Sequence, residues 1–561
     1  MSGAAAKQAK PPGGLRQSMA WLHTWSGLWL SWLLFAIFLT GTLAVFDDPI
    51  GHWMTPEHAI AESAHQAAPA KVSDRGRRIE LGLAYMARHH GDAGMWELWP
   101  VQRPGNGLSA YWFQPNGQYG SADLDPATGA ELRHDAAATV RATEGGHHFV
   151  DFHYELHAGK IGLWVVAITT MVMLVALVSG VITHKRIFKD FFTFRPAKGQ
   201  RSWLDAHNAV AVLTLPFQFM IAYTGIAFYS TQYVPAPVLA QYGAGPAAVK
   251  RYNAQLMEPG KPARSGTALA VPDLEPYARR AEQSIGQEIR AIVLDNPGDA
   301  SMRVCMYGWN EEAELRTRLS ASSGMACYAV ASGAELAVRQ PGAVDGGAAV
   351  LTQHVMGGLH MAGFGGVGVR WLYFFCGLAG AAMMGTGAVL FMVKRRQRHG
   401  GEFGAATERV YRLIEGMNVA AIAGLGVACI AFLWANRLIP LGVEQRAGWE
   451  VRAFFAVWVL MLMHALVRPA ARAWVEQLGL LAALCLLLPL LNIVSTGDSM
   501  AAQIARGDWE SAGVELCSLA FAALAGWGAF KLHTRKHQAA AAKPAPRQPA
   551  AQAAHTEGYR G

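Results

Sequence analysis

Charge is scarce in this chain. Asp, Glu, Lys and Arg make up 16% of its 561 residues, against 52% hydrophobic. A chain this long and this apolar is not one water-soluble domain. Cysteine is scarce too: there are six, and no CxxC pair. That excludes a four-thiolate zinc site and a covalently attached c-type haem. No dinucleotide fingerprint stands in a strand-to-helix setting. Gly363, Gly365 and Gly368 in "GFGGVG" spell GxGxxG, but no strand precedes them and an apolar run follows, so the match carries no phosphate site. A cleavable leader is not legible either, since the first apolar run is too long for a signal core and lacks a small-residue cleavage site.

What is present is a series of apolar runs of about 20 residues, the length that crosses a bilayer. They predict an α-helical polytopic membrane protein of about eight transmembrane helices. Four spans fall at 21–46, 157–183, 203–230 and 359–393, and four more in a C-terminal module at 413–532. The connections 184–202 and 394–412 are rich in Lys and Arg, and such loops stay in the cytoplasm. Both termini (1–20 and the Ala/Pro/Gln-rich tail 533–561) then lie on that side. The polar stretches 47–156 and 231–358 then face outward. The net charge of +8 is an orientation signal and does not point to nucleic acid.

The first 395 residues read as one unit used twice. "ATGAEL" at 127–132 answers "ASGAEL" at 331–336, and His157 and His360 follow the two Leu residues by 25 and 24 positions. Each histidine leads into a span ending in a small pair, Ser179-Gly180 or Thr386-Gly387. In the preceding spans His23 stands eighteen residues before Gly41, and His207 eighteen before Gly225. Two parallel copies about an axis normal to the membrane would set His23 against His207 at the cytoplasmic end, and His157 against His360 at the periplasmic end.

Opposed imidazoles from facing helices suit axial ligation of b-type haem. Eighteen residues of helix span about 27 Å, close to the hydrocarbon thickness, so two haems would make a two-step electron path across the membrane. His153, one turn before His157, and His184, at the cytoplasmic end of the second span, are alternative ligands. The position four before His360 is Met356, so His153 has no counterpart in this register. His147, His148 and His354 belong to the outer surface, and Lys185, Arg186 and Arg201 could neutralise inner propionates. A lone His464 in "LMLMHALVRP" reads as hydrogen-bonded.

Each polar stretch reads as a helix followed by short strands, a small α+β module, with the two modules facing each other over a cleft. Cys305 and Cys327 lie in strand-like segments, and their pairing in a disulfide is left open.

The segments "LHTWSGLWL", "DFHYELHAGKIG", "WLDAHNAVAVLTLPFQFMIAYTG" and "LHMAGFGGVGVRWLYF" resemble the PepSY-associated transmembrane helix family of iron-regulated membrane proteins, over roughly 15–395. "DPATGAEL" resembles the strand–turn–strand of a PepSY module. The resemblance implies two b-type haems and a siderophore reductase, acting on a ferric siderophore or other ferric chelate with electrons from a quinol or a cytoplasmic donor. It carries ligand roles onto His23, His157, His207 and His360. A non-redox permease for siderophore or metal, or a PepSY-type binding module, is the rival expectation.

Overall fold

The computed structural model describes residues 14–57, 74–101, 107–114, 119–132, 141–183, 200–229, 233, 236–245, 247–248, 251, 261–310, 318–320, 322–343, 347–398 and 403–541. Among them, eight helices are long and apolar enough to cross a membrane, in the positions that the apolar runs predict.

The first half begins with α1 (Leu15–Ala44) and the short α2 (Asp47–Met54). Then come α3 (Arg75–His89) and the strands β1 (Met95–Trp99), β2 (Leu108–Phe113) and β3 (Tyr119–Leu124). The chain returns through α4 (His147–Glu155) into α5 (Gly159–Thr183). The second half repeats this order. It runs α6 (Gln200–Phe228), α7 (Glu275–Ile285), β4 (Ile289–Asp295), β5 (Arg303–Gly308), β6 (Met325–Ala329), β7 (Ala334–Arg339), α8 (Gly347–His360) and α9 (Gly366–Arg398). The C-terminal module comprises α10 (Thr407–Val419, continued through a π turn at Ala420–Gly424 as Leu425–Leu438), α11 (Arg446–Val467), α12 (Ala470–Thr496) and α13 (Trp509–Ala541).

The long helices α1, α5, α6 and α9 form the bundle of the duplicated unit: α1 packs on α5 and α9, and α6 packs on the same two. Small residues allow the close approach, as is usual between helices in lipid. A Cβ at Gly377 would lie against Thr42, and one at Gly380 would fall 2.6 Å from the ring of Phe38. The entry to each returning span is kinked. Leu156, His157 and Gly159 have φ of 54°, 51° and 53°, and Ala362, Gly365 and Gly366 have 51°, 71° and 66°. These left-handed residues cap α4 and α8 and let the next helix start in a new direction.

The two polar stretches do not form separate modules across a cleft. Their strands join in one seven-stranded antiparallel sheet, ordered β3-β2-β1-β4-β5-β6-β7. The seam is β1 against β4, from Met95 opposite Asp295 to Leu98 opposite Ile292. A three- or four-stranded half would leave an edge strand with unpaired N–H and C=O groups; joining the halves removes both inner edges. α3 and α7 pack on one face, where Ile79, Met86, Leu98, Ile292, Val304 and Tyr328 are buried in one core. Cys305 and Cys327 stand opposite one another on β5 and β6 and form a disulfide.

The C-terminal module is locked to the rest by a buried polar network. Arg437 donates to the Trp53 carbonyl and to Asn492 (2.9 Å). Arg446 pairs with Glu450 at 2.5 Å, and Asn436 donates to the same carboxylate at 2.8 Å. Arg446 is 1% exposed and Glu450 0%, so each charge depends on the other for its solvation.

Candidate functional site

Four histidines occupy equivalent places in the two halves of the bundle. The rings of His23 on α1 and His207 on α6 face each other with centres 6.5 Å apart. At the sheet end, His153 on α4 and His360 on α8 face each other at 6.0 Å. His23 and Ile37, whose carbonyl touches His153, are fourteen residues apart on α1, so the two pairs sit about 21 Å apart along the helix.

Each ring is held by the same contact. Nδ1 of His23 donates to the Ala176 carbonyl at 2.9 Å, and Nδ1 of His207 to that of Met383 at 3.1 Å. Nδ1 of His153 donates to Ile37 at 2.8 Å, and Nδ1 of His360 to Ile221 at 3.0 Å. A carbonyl can only accept, so all four rings carry their proton on Nδ1 and present the Nε2 lone pair, the arrangement that orients a metal-binding imidazole. The register is constant: positions 23 and 37 match 207 and 221 at an offset of 184, and 153 and 176 match 360 and 383 at an offset of 207.

Glycine makes room for every ring. A Cβ at Gly41 would come 2.5 Å from Nδ1 of His153, and one at Gly225 2.7 Å from Cε1 of His360. At the other end the corresponding distances are 3.0 Å from Gly180 to His23 and 3.3 Å from Gly387 to His207. The Ser-Gly and Thr-Gly pairs that mark the repeat are therefore seats for imidazoles.

Both pairs border cavities. The one at His23 and His207 measures about 790 Å³ and is lined by Trp25, Leu28, Phe391, Lys394 and Arg395 among others, within the range of cofactor sites. The one at His153 and His360 is tighter, about 110 Å³, bordered by Phe38, Tyr154, Phe217 and Tyr373. A flat macrocycle enters there only if these aromatic side chains turn aside. Leu34 and Met173 line both cavities, so a single layer of side chains divides them.

The description "PepSY-associated TM region" matches residues 20–394. The chain belongs to that family. It is also similar to an uncharacterized protein of Pseudomonas aeruginosa, 26% identical over 344 residues that span 59% of this chain and 82% of the relative. In this PepSY-associated protein both histidine pairs fall inside the matched region, as does the lining of both cavities save Gln17 and Arg395 at the inner one, and the C-terminal module lies beyond it.

The expected partnership of His157 with His360 is corrected by the geometry. Left-handed φ at Leu156 and His157 ends α4 and swings His157 off the face that carries His153. Its Nε2 lies 2.9 Å from Nδ1 of His148, and its ring packs against Phe455. His148 is not a surface residue: it is 0% exposed and stacks on Phe432 of the C-terminal module at 4.1 Å. Burial, reinforced by His157, pushes His148 down to about 3, so it is neutral. A sequence signal for His153 did exist: it precedes Gly180 by 27 residues, as His360 precedes Gly387, whereas His157 precedes it by 23. His184, Lys185 and Arg186 lie outside the described residues, as does the side chain of Arg201. His464 is hydrogen-bonded as expected, to Glu476 at 2.8 Å and Gln477 at 3.1 Å.

Proposed function

We propose that the chain is a bacterial inner-membrane electron-transfer protein that holds two b-type haems and reduces a ferric chelate, most simply a ferric siderophore, at the periplasmic face. The observation that carries this reading is the fourfold Nδ1-to-carbonyl contact, which leaves Nε2 as the lone-pair nitrogen in two pairs of neighbouring rings. Two imidazoles sharing one iron, each nitrogen at about 2 Å and each ring centre roughly 1.1 Å behind it, would have centres about 6 Å apart. The separations of 6.5 Å and 6.0 Å fit.

His23 and His207 would hold one haem, His153 and His360 the other, with His157 turned to His148 instead. When bound, the haems supply one-electron chemistry; the chain sets ligation, spacing and dielectric. Arg395, stacked on Trp25 and Phe391 at 4.8 and 4.4 Å, and Lys394 stand at the inner cavity, where they would neutralise propionates. Leu34 and Met173 keep the gap between the sites apolar and short. The basic loops support an orientation in which both termini would lie in the cytoplasm and the joined sheet, as two PepSY-like halves, in the periplasm. A quinol or a cytoplasmic reductant would deliver electrons to the inner site. Each ferric ion takes one electron, and the ferrous ion is held weakly by hard oxygen donors.

The test is an absorbance spectrum of the purified protein before and after dithionite, followed by reoxidation with ferric chelates. A Soret band that shifts on reduction and reverts with one electron per ferric ion supports the reading. A reduced band indifferent to every ferric chelate would remove the reductase activity, and a colourless folded protein the haems as well.

A further inference from the structure

The periplasmic sheet carries an arginine that the haem sites do not use. Arg290 stands where the β4–β5 ladder slips register between Ile289 and Ala291, and a bulge re-aims the side chain it carries. Its guanidinium lies over the indole of Trp99 at 4.8 Å and that of Trp309 at 5.6 Å. Trp99 closes β1 in the first half, while Arg290 and Trp309 belong to the second. The trio therefore straddles the β1–β4 seam. Tyr111 packs edge-on against Trp99 at 6.4 Å.

Stacking explains the two indoles but leaves the donors of the guanidinium unmet. Among the described residues nothing accepts a hydrogen bond from Arg290, and its Nε is buried without a partner. Glu97 is the carboxylate whose charge it feels, yet Glu97 accepts from Trp99 Nε1 at 2.6 Å and forms no ion pair with Arg290. A half-buried planar fork with five N–H donors and no acceptor among the described residues is matched by an external carboxylate or phenolate, taken bidentately. Two indoles beside the guanidinium favour an aromatic ring attached to that anion.

We propose that Arg290, Trp99 and Trp309 form a binding site for an aryl carboxylate or phenolate at the seam between the two halves. If the haem reading holds, this site selects ferric chelates whose ligands carry such groups; that extension rests on the proposed function, while the binding itself does not.

The experiment is calorimetric titration of the full-length protein in detergent with salicylate, with inorganic phosphate and cyclohexanecarboxylate as comparison probes. Salicylate is expected to bind the wild type at least tenfold more tightly than either. Arg290→Gln should weaken salicylate at least tenfold. Arg290→Lys should fall in between, because it keeps the charge and loses the fork, and Trp309→Leu should erase the preference for the aromatic acid. The visible spectrum should be unchanged in all three, which separates failure of this site from failure of the haem reading. Unaltered salicylate affinity in Arg290→Gln and Arg290→Lys, equal binding of phosphate, or no salicylate binding by wild type would each overturn the proposal.

Discussion

The ring centres of His153 and His360 lie 6.0 Å apart with 28° between their planes, and each ring is tied through Nδ1 to a carbonyl of the first helix of its own half, Ile37 or Ile221. Under the proposed function this relationship makes His153 and His360 the ligands of the outer haem. His153→Ala is therefore expected to lower bound haem from two per chain to about one, and His157→Ala to leave two. Haem quantitation on both variants checks this, and the reverse pattern would restore His157 as the ligand.

The glycine seats give a second expectation. Gly41→Val places side-chain atoms where the His153 ring lies, with the first carbon already 2.5 Å from Nδ1. The variant should lose the outer haem while keeping the inner one. A substitution at Gly479 on α12, which lines neither cavity and around which nothing lies within 4 Å, should cost neither. Spectra of the two variants at equal protein concentration make the comparison.

His148 predicts a pH dependence. Its folded value is about 3 against an ordinary 6.5. Above pH 6.5 both folded and unfolded forms are neutral. As the pH falls from 6.5 towards 3 the unfolded form takes up the proton first, so stability declines, by about 1.4 kcal/mol per pH unit at most from this one group. His148→Phe should flatten the fall in unfolding temperature between pH 6.5 and 4.5 relative to wild type. Identical slopes would mean that His148 is not buried neutral against Phe432.

The Arg446–Glu450 pair is completely buried, so removing one partner strands a charge. Arg446→Met should destabilise the protein by roughly 3–5 kcal/mol, and the double variant Arg446→Met/Glu450→Leu should recover much of that. Thermal unfolding of the three proteins tests it; equal loss in single and double variants would show that the network matters through the hydrogen bonds that Glu450 accepts from Asn436 and Thr143 instead.

Much of this architecture is legible in the residues themselves. The spans follow from run length, and the pairing of His23 with His207 from two eighteen-residue spacings to glycine. His153 was obscured because the repeat was anchored on "GAEL", which lies beyond a segment whose length differs between the halves. The bend that turns His157 away uses Leu156 and His157 themselves in left-handed backbone, a conformation that neither residue type announces. The single sheet was not visible because β1 and β4 are nearly 200 residues apart and strand edges carry no local mark of their partner. The Cys305–Cys327 bridge likewise depends on the β5–β6 register. Arg290, Trp99 and Trp309 come together only once that sheet is closed.

The most direct measurement is haem stoichiometry: a pyridine haemochrome assay on monodisperse protein with its concentration fixed by amino-acid analysis. Two b-type haems per chain are expected, each with the spectrum of bis-imidazole ligation. A folded chain that binds no haem when expressed with ample haem supply would contradict the central claim.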